Sequence, residues 1–186
     1  MNPYHLLEKY YAGNPTGLDI VYRHSKMVAA KALAIASLSP HAGLDLEFLE
    51  QAALLHDIGV SRVYVPRLGC LGSAPYICHG IIGREILEAE GFPLHALVCE
   101  RHIGVGLTAV DIELQRLPLP AREMAPVTTA ERIVALADLF FSKKQRDLEQ
   151  EKSTEQVRCD LLKFGQNKVT IFEAWLEEFR LHQPAP

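Results

Sequence analysis

Apolar side chains recur along this chain every three or four positions, and strand-like alternation bounded by turns is scarce. The pattern predicts an all-α chain. A first long helix covers 18–38, after the turn GNPTG and before Ser39-Pro40, which stops it. A second begins at Asp45, an N-cap residue type, and runs through FLEQAALLHD to Gly59, which can turn left-handed behind a helix. Residues 60–75, with two prolines and two glycines, read as a loop long enough to be functional.

Further helices are predicted over 77–90, closed by Gly91, and over 93–102, with proline in the first turn. Thr108 reads as a helix cap with Asp111. TTAERIVALADLFFSKK starts with the capping-box pair Thr128 and Glu131 and continues as an apolar stripe through Ile133, Leu136, Ala137 and Phe140. STEQVRCDLLKFG starts the same way, and a last amphipathic helix covers 168–181 before HQPAP, read as a frayed tail. About seven helices without an internal repeat make a helical bundle rather than a solenoid.

Composition narrows the class without changing it. The chain has 186 residues, 48% hydrophobic and 23% charged, which suits one globular domain over 1–186. A net charge of -4 argues against a nucleic-acid polymer as partner, because phosphate backbones call for a basic surface. The first residues lack a secretory pattern and no stretch reaches a membrane span, so a cytoplasmic protein is expected. Cys70, Cys78, Cys99 and Cys159 never form a CxxC pair and read as reduced, buried thiols. Oligomeric state is left open.

The chemistry lies in ionisable residues set among apolar ones. His24 lies in IVYRHSKMV, His56 and Asp57 in AALLHDIG, His102 in LVCERHIGVG, Asp138 in VALADLFF, and His79 starts a helix in ICHGIIG. Each histidine alone reads as a hydrogen-bonded core residue, and Asp138 alone as an acid paired to an arginine. A lone buried carboxylate costs several kcal/mol, however, and Asp57 at a helix C-terminus opposes the dipole. Taken together, these residues point to a divalent cation held between helices.

The ordered set His24, His56-Asp57 and Asp138, with HDIG at 56–59 and ALAD at 135–138, resembles the HD-domain metal-dependent phosphohydrolase superfamily. The resemblance covers about 18–145 and leaves a C-terminal helical addition over about 153–181. It implies a first metal on those four residues. His79 followed by Gly80, and then RHIGVG, resemble small stand-alone members with two metals, which implies Asp57 as the bridge and His79 and His102 on the second ion. HD-GYP proteins often read HDIGK where this chain has Val60, and the GYP signature is absent, so a cyclic dinucleotide is disfavoured. Some binuclear relatives carry two adjacent histidines where this chain has His102-Ile103.

The implied reaction is attack of a metal-activated hydroxide on a phosphoester or phosphoanhydride of a small metabolite, foremost a nucleotide. One or two ions of iron, manganese, cobalt, nickel or zinc suit imidazole and carboxylate donors. No Gly-x-Ser-x-Gly elbow or P-loop offers another chemistry. Lys143 or Lys144, then Arg62, are the cations expected at the phosphoryl group, with Arg23, Lys31, Arg67 and Arg101 as further candidates. A non-catalytic nucleotide sensor and a di-iron oxygenase are the alternatives.

Overall fold

The computed structural model describes residues 1–41 and 43–181 and is built almost entirely of helices. Among the described residues the α-helices are α1 (Pro3–Tyr10), α2 (Pro15–Leu38), α3 (Leu46–Leu55), α4 (His79–Ala89), α5 (Pro93–Arg101), α6 (Ala109–Leu114), α7 (Thr129–Leu139), α8 (Thr154–Leu162) and α9 (Gln166–Glu178). The tail HQPAP lies outside the described residues.

Local chemistry sets the boundaries. Asn14 caps α2 by accepting from the Gly17 amide, with Pro15 in the first turn, so the helix starts three residues before the apolar pattern becomes periodic. Asp45 caps α3 as expected, and Ser153 with Gln156 forms a complete capping box at α8. At α7 the box is half made: Thr128 accepts from the Glu131 amide, while the Glu131 carboxylate turns to the Val127 amide and to Arg101.

The helix count exceeds the expected seven by two short helices, α1 and α6. α1 is marked by Asn2 as N-cap and Pro3 in the first turn. α6 is marked by the Thr108–Asp111 capping box, whose cap the sequence announced. The 60–75 stretch also holds more than a loop: strands β1 (Tyr64–Val65) and β2 (Cys70–Leu71) form a small antiparallel hairpin, turned by a 3₁₀ segment and Gly69 in the left-handed region. Cys159 is exposed on α8, contrary to the expected burial, while Cys70, Cys78 and Cys99 are buried.

Two apolar clusters fill the interior. One joins α2, α3 and α7 to the C-terminal α8 and α9, including Phe172 and Phe179. The other joins α1, the hairpin and α4 to the opposite stretches of α2, α3 and α5. On α2 the first cluster includes Val28 and the second Val21, with His24 between them. On α3 the change falls between Ala53 and Leu55, immediately before His56. The polar residues therefore sit at the seam between the clusters.

α3 stops at Leu55 rather than at Gly59, and the chain turns through His56 and Asp57 into a 3₁₀ segment, Ile58–Arg62. Gly59 is needed for close approach and not for a left-handed turn. A Cβ there would lie 2.0 Å from the His79 carbonyl oxygen and 2.5 Å from the Gly83 amide nitrogen. On α4, a Cβ at Gly80 would lie 2.9 Å from the Cys99 carbonyl oxygen. These glycines bring the His56-Asp57 turn, the start of α4 and the end of α5 into backbone contact. Gly59→Ala is expected to destabilise the fold by about 1–3 kcal/mol through overpacking against α4, read as a lower urea midpoint with unchanged slope.

Candidate metal centre

Three of the four cluster histidines are oriented by the same local device. Histidine Nδ1 atoms reach back to carbonyls three residues earlier: His56 to Ala53 at 2.6 Å and His102 to Cys99 at 2.8 Å, where the helix end leaves carbonyls without intrahelical partners, and His79 to Tyr76 at 2.7 Å before α4. A carbonyl only accepts, so each Nδ1 carries the proton and each Nε2 is left as a donor atom for a cation. The Cys99 thiol closes the end of α3 by donating to the Leu55 carbonyl at 3.2 Å.

The Nε2 atoms converge on Asp57, and its two oxygens are divided between them. Oδ2 lies 3.3 Å from His24 Nε2 and 3.1 Å from His56 Nε2. Oδ1 lies 3.5 Å from His79 Nε2 and 3.7 Å from His102 Nε2. Asp138 Oδ1 completes the first group, 2.9 Å from His24 Nε2 and 3.4 Å from His56 Nε2. The two groups, His24-His56-Asp57-Asp138 and Asp57-His79-His102, each bring their donor atoms within 4.8 Å of one another.

Among the described residues Asp57 Oδ1 and His56 Nε2 are buried without a hydrogen-bond partner. His79 Nε2 and His102 Nε2 approach to 3.1 Å. Burial holds the His79 pKa down to about 3, so its Nε2 is a bare lone pair. The Asp57 Oδ1 carboxylate oxygen and the His79 lone pair repel each other unless positive charge lies between them, and the donor set suits divalent cations. The residues fit one ion in each group.

Positive charge from the chain confirms the field at this point. Lys143 Nζ lies 2.6 Å from Asp57 Oδ2 and 3.7 Å from Asp138 Oδ1. Burial alone would lower its pKa, but Asp138 and Asp57 hold it well above the ordinary lysine value. Burial likewise works against a charged His56, yet with no ion between them Asp57 and Asp138 raise it to about 10, so these carboxylates draw positive charge to the position a cation would take. Burial penalises both carboxylates, and Lys143 leads the charges that keep each well below the usual range.

Of the cations expected from the sequence, only Lys143 is brought to the cluster. α7 ends at Leu139, so Lys143 arrives on irregular chain, and its exposed neighbour Lys144 faces the surface. Arg62 is exposed and lies over the Tyr10 ring, 5.3 Å from its centroid. Arg23 and Lys31 pair with Glu149 and Glu151. Arg101 binds the buried Glu131 of α7 at 3.0 Å and 3.1 Å, which ties the end of α5 to α7. Val60 is buried in the second apolar cluster.

Sequence reasoning missed Tyr76. It is mostly buried, stacks on His79 with centroids 4.7 Å apart, and is linked to Lys143. Its position three residues before His79 is the signal that marks it, since its own carbonyl anchors that imidazole. It also missed Glu100, buried beside His102 and held by Arg84 at 2.7 Å and by Arg122.

The family model for the HD domain matches residues 21–141, and the chain belongs to that family. Its fold is that of the HD domain of the L. monocytogenes phosphodiesterase PgpH, with a TM-score of 0.53 at 18% identity over 91% of this chain and 94% of that one. The same domain in complex with cyclic-di-AMP matches with a TM-score of 0.53 over 97% of this chain and 99% of that one. An uncharacterized protein of Methanocaldococcus jannaschii is 39% identical over 119 residues, 63% of each chain. A tRNA (cytidine(56)-2'-O)-methyltransferase of Thermoplasma volcanium is 35% identical over 142 residues, covering 76% of this chain and 36% of that protein. The corresponding Picrophilus torridus methyltransferase is 34% identical over 67% of this chain and 32% of its own length. The chain thus spans under two thirds of the M. jannaschii protein and about a third of the two methyltransferases.

Cation binding that requires the folded cluster stabilises the fold by about 2.7 kcal/mol at a free concentration a hundredfold above the dissociation constant. Manganese added to metal-free protein is expected to raise Tm, and Asp57→Asn to abolish the rise, as measured by scanning calorimetry.

Proposed function

We propose that this chain is a metal-dependent phosphohydrolase acting on a phosphoester or phosphoanhydride of a small phosphorylated metabolite, foremost a nucleotide. The observation that carries the reading is the division of the Asp57 carboxylate between two groups of buried histidines whose ligand atoms lie within 4.8 Å of one another, with Lys143 the cation beside Oδ2. His24, His56, Asp57 and Asp138 would hold one ion, and His79 and His102 would share Asp57 on a second. Bound there, divalent cations of the iron, manganese, cobalt, nickel or zinc kind polarise a phosphoryl oxygen and make water a nucleophile near neutral pH.

The chain's own residues supply position and charge. The Nδ1 anchors on Ala53, Tyr76 and Cys99 fix three imidazoles before any ligand arrives, so little reorganisation is needed on binding. Lys143 stays protonated beside Asp57 and can offset negative charge on the phosphoryl oxygens. Tyr76 packs over His79 and limits water on that side of the imidazole. The likeness to a phosphodiesterase domain seen with a cyclic dinucleotide supports phosphoryl chemistry on a nucleotide-like ligand. The missing GYP signature and the buried Val60 speak for a substrate other than a cyclic dinucleotide.

Protein loaded in turn with iron, manganese, cobalt, nickel and zinc is to be tested on phosphomonoesters, phosphodiesters and nucleotides. Turnover is expected with at least one nucleotide. Lys143→Ala should keep its metal, measured by plasma mass spectrometry, while kcat falls about a hundredfold. Asp57→Ala should lose metal and activity together, with circular dichroism checking the fold because ligation contributes to stability. No turnover of any substrate by a fully metal-loaded chain would refute the proposal.

A further inference from the structure

We infer that the β1–β2 hairpin recognises the base of a nucleotide, by stacking on Tyr64, in a cavity that shares a wall with the histidine cluster. The inference rests on the reading of that cluster as a phosphoryl site and extends it to the other end of the ligand.

The shared wall is Tyr76. One side of its ring covers the His79 imidazole, at an interplanar angle of 28°. The same residue, with Tyr64, Val65, Pro66 and Arg67, lines a cavity of about 410 Å³. The hairpin thus stands beside the site from which Lys143 and the metal ligands act.

The chemistry of that wall favours a flat, anionic ligand. Tyr64 pairs across the hairpin with Leu71, and directly opposed residues project from the same face of an antiparallel pair. Both are conspicuously open, Tyr64 at 60% and Leu71 at 74% exposure. An apolar platform of this kind, on a hairpin whose other side packs Val65 and Cys70 into the core, has no structural use for the fold itself. Neither Tyr64 nor Arg67 makes a side-chain hydrogen bond, ion pair or ring contact among the described residues. Arg62 on the same stretch is already placed over Tyr10, and Arg23 and Lys31 are paired with acids. Arg67 is therefore left to bring positive potential to the cavity rim.

An aromatic face, a free guanidinium and a phosphoryl site in sequence match the base, the anionic character and the phosphate of a nucleotide. Stacking tolerates any base, because every base has a π-face, so the preference should be for a base over none rather than for one base over another.

Isothermal titration of the full, manganese-loaded chain with AMP, GMP, CMP and UMP, and with ribose 5-phosphate, isolates the base, since the last keeps sugar and phosphoester alone. Product is assayed in the same samples. The nucleotides are expected to bind about tenfold tighter than ribose 5-phosphate. Tyr64→Ala should erase that difference without changing the affinity for ribose 5-phosphate, and Tyr64→Phe should keep it. Arg67→Ala should weaken all five ligands alike. Equal affinity for all five ligands, absence of binding, or a preference that survives Tyr64→Ala would overturn the inference. Base-dependent binding without turnover would instead refute hydrolysis and leave base recognition standing. Turnover without any base preference would do the reverse.

Discussion

The buried carboxylate of Asp57 is the constraint on which the structure turns. It is fully buried and faces four imidazoles, and Lys143 reaches only one of its two oxygens. Removing an ion from water costs several kcal/mol even after relaxation, and a low-dielectric surround magnifies any uncompensated charge. Lys143 offsets part of this through one oxygen. The other oxygen faces only His79 and His102, and His79 is neutral. A cation at each oxygen would resolve both deficits.

That arrangement is costly in local terms and is supported from several directions. Glycines at 59, 80 and 83 allow backbones to meet where a Cβ would clash. Carbonyls near the ends of α3 and α5, which helix geometry leaves without an intrahelical partner, and the Tyr76 carbonyl before α4 fix the imidazoles of His56, His102 and His79. The buried pair Arg101–Glu131 and the Glu100 carboxylate between Arg84 and Arg122 hold the end of α5 against its neighbours. The cluster lies at the seam of two apolar cores, where α2 and α3 each pass from one to the other.

The helical fold and the polar cluster were legible because both leave periodic traces. His24, His56, Asp57 and Asp138 interrupt apolar helical stripes, and such interruptions stand out against burial. His79 and His102 were found the same way, and all six converge in space. What escaped had a different physical origin. The short α1 and α6 are marked by their caps, Asn2 with Pro3 and Thr108 with Asp111, and span only about two turns or fewer. The role of Gly59 depends on the approach of α4, a tertiary contact that no local pattern encodes. Which of the basic residues reaches the centre depends on where α7 stops: the helix ends at Leu139, and irregular chain delivers Lys143 while Lys144 turns outward. Tyr76 went unnoticed because its spacing of three residues before His79 gains meaning only once its carbonyl is seen to anchor that imidazole and its ring to stack on it.

The central claim is that the two oxygens of Asp57 serve two different ions. Anomalous diffraction from crystals of the manganese-loaded protein tests it directly. The account requires two peaks, one among His24, His56, Asp57 Oδ2 and Asp138 and one among Asp57 Oδ1, His79 and His102. A single peak, or two that do not share the Asp57 carboxylate, would contradict it.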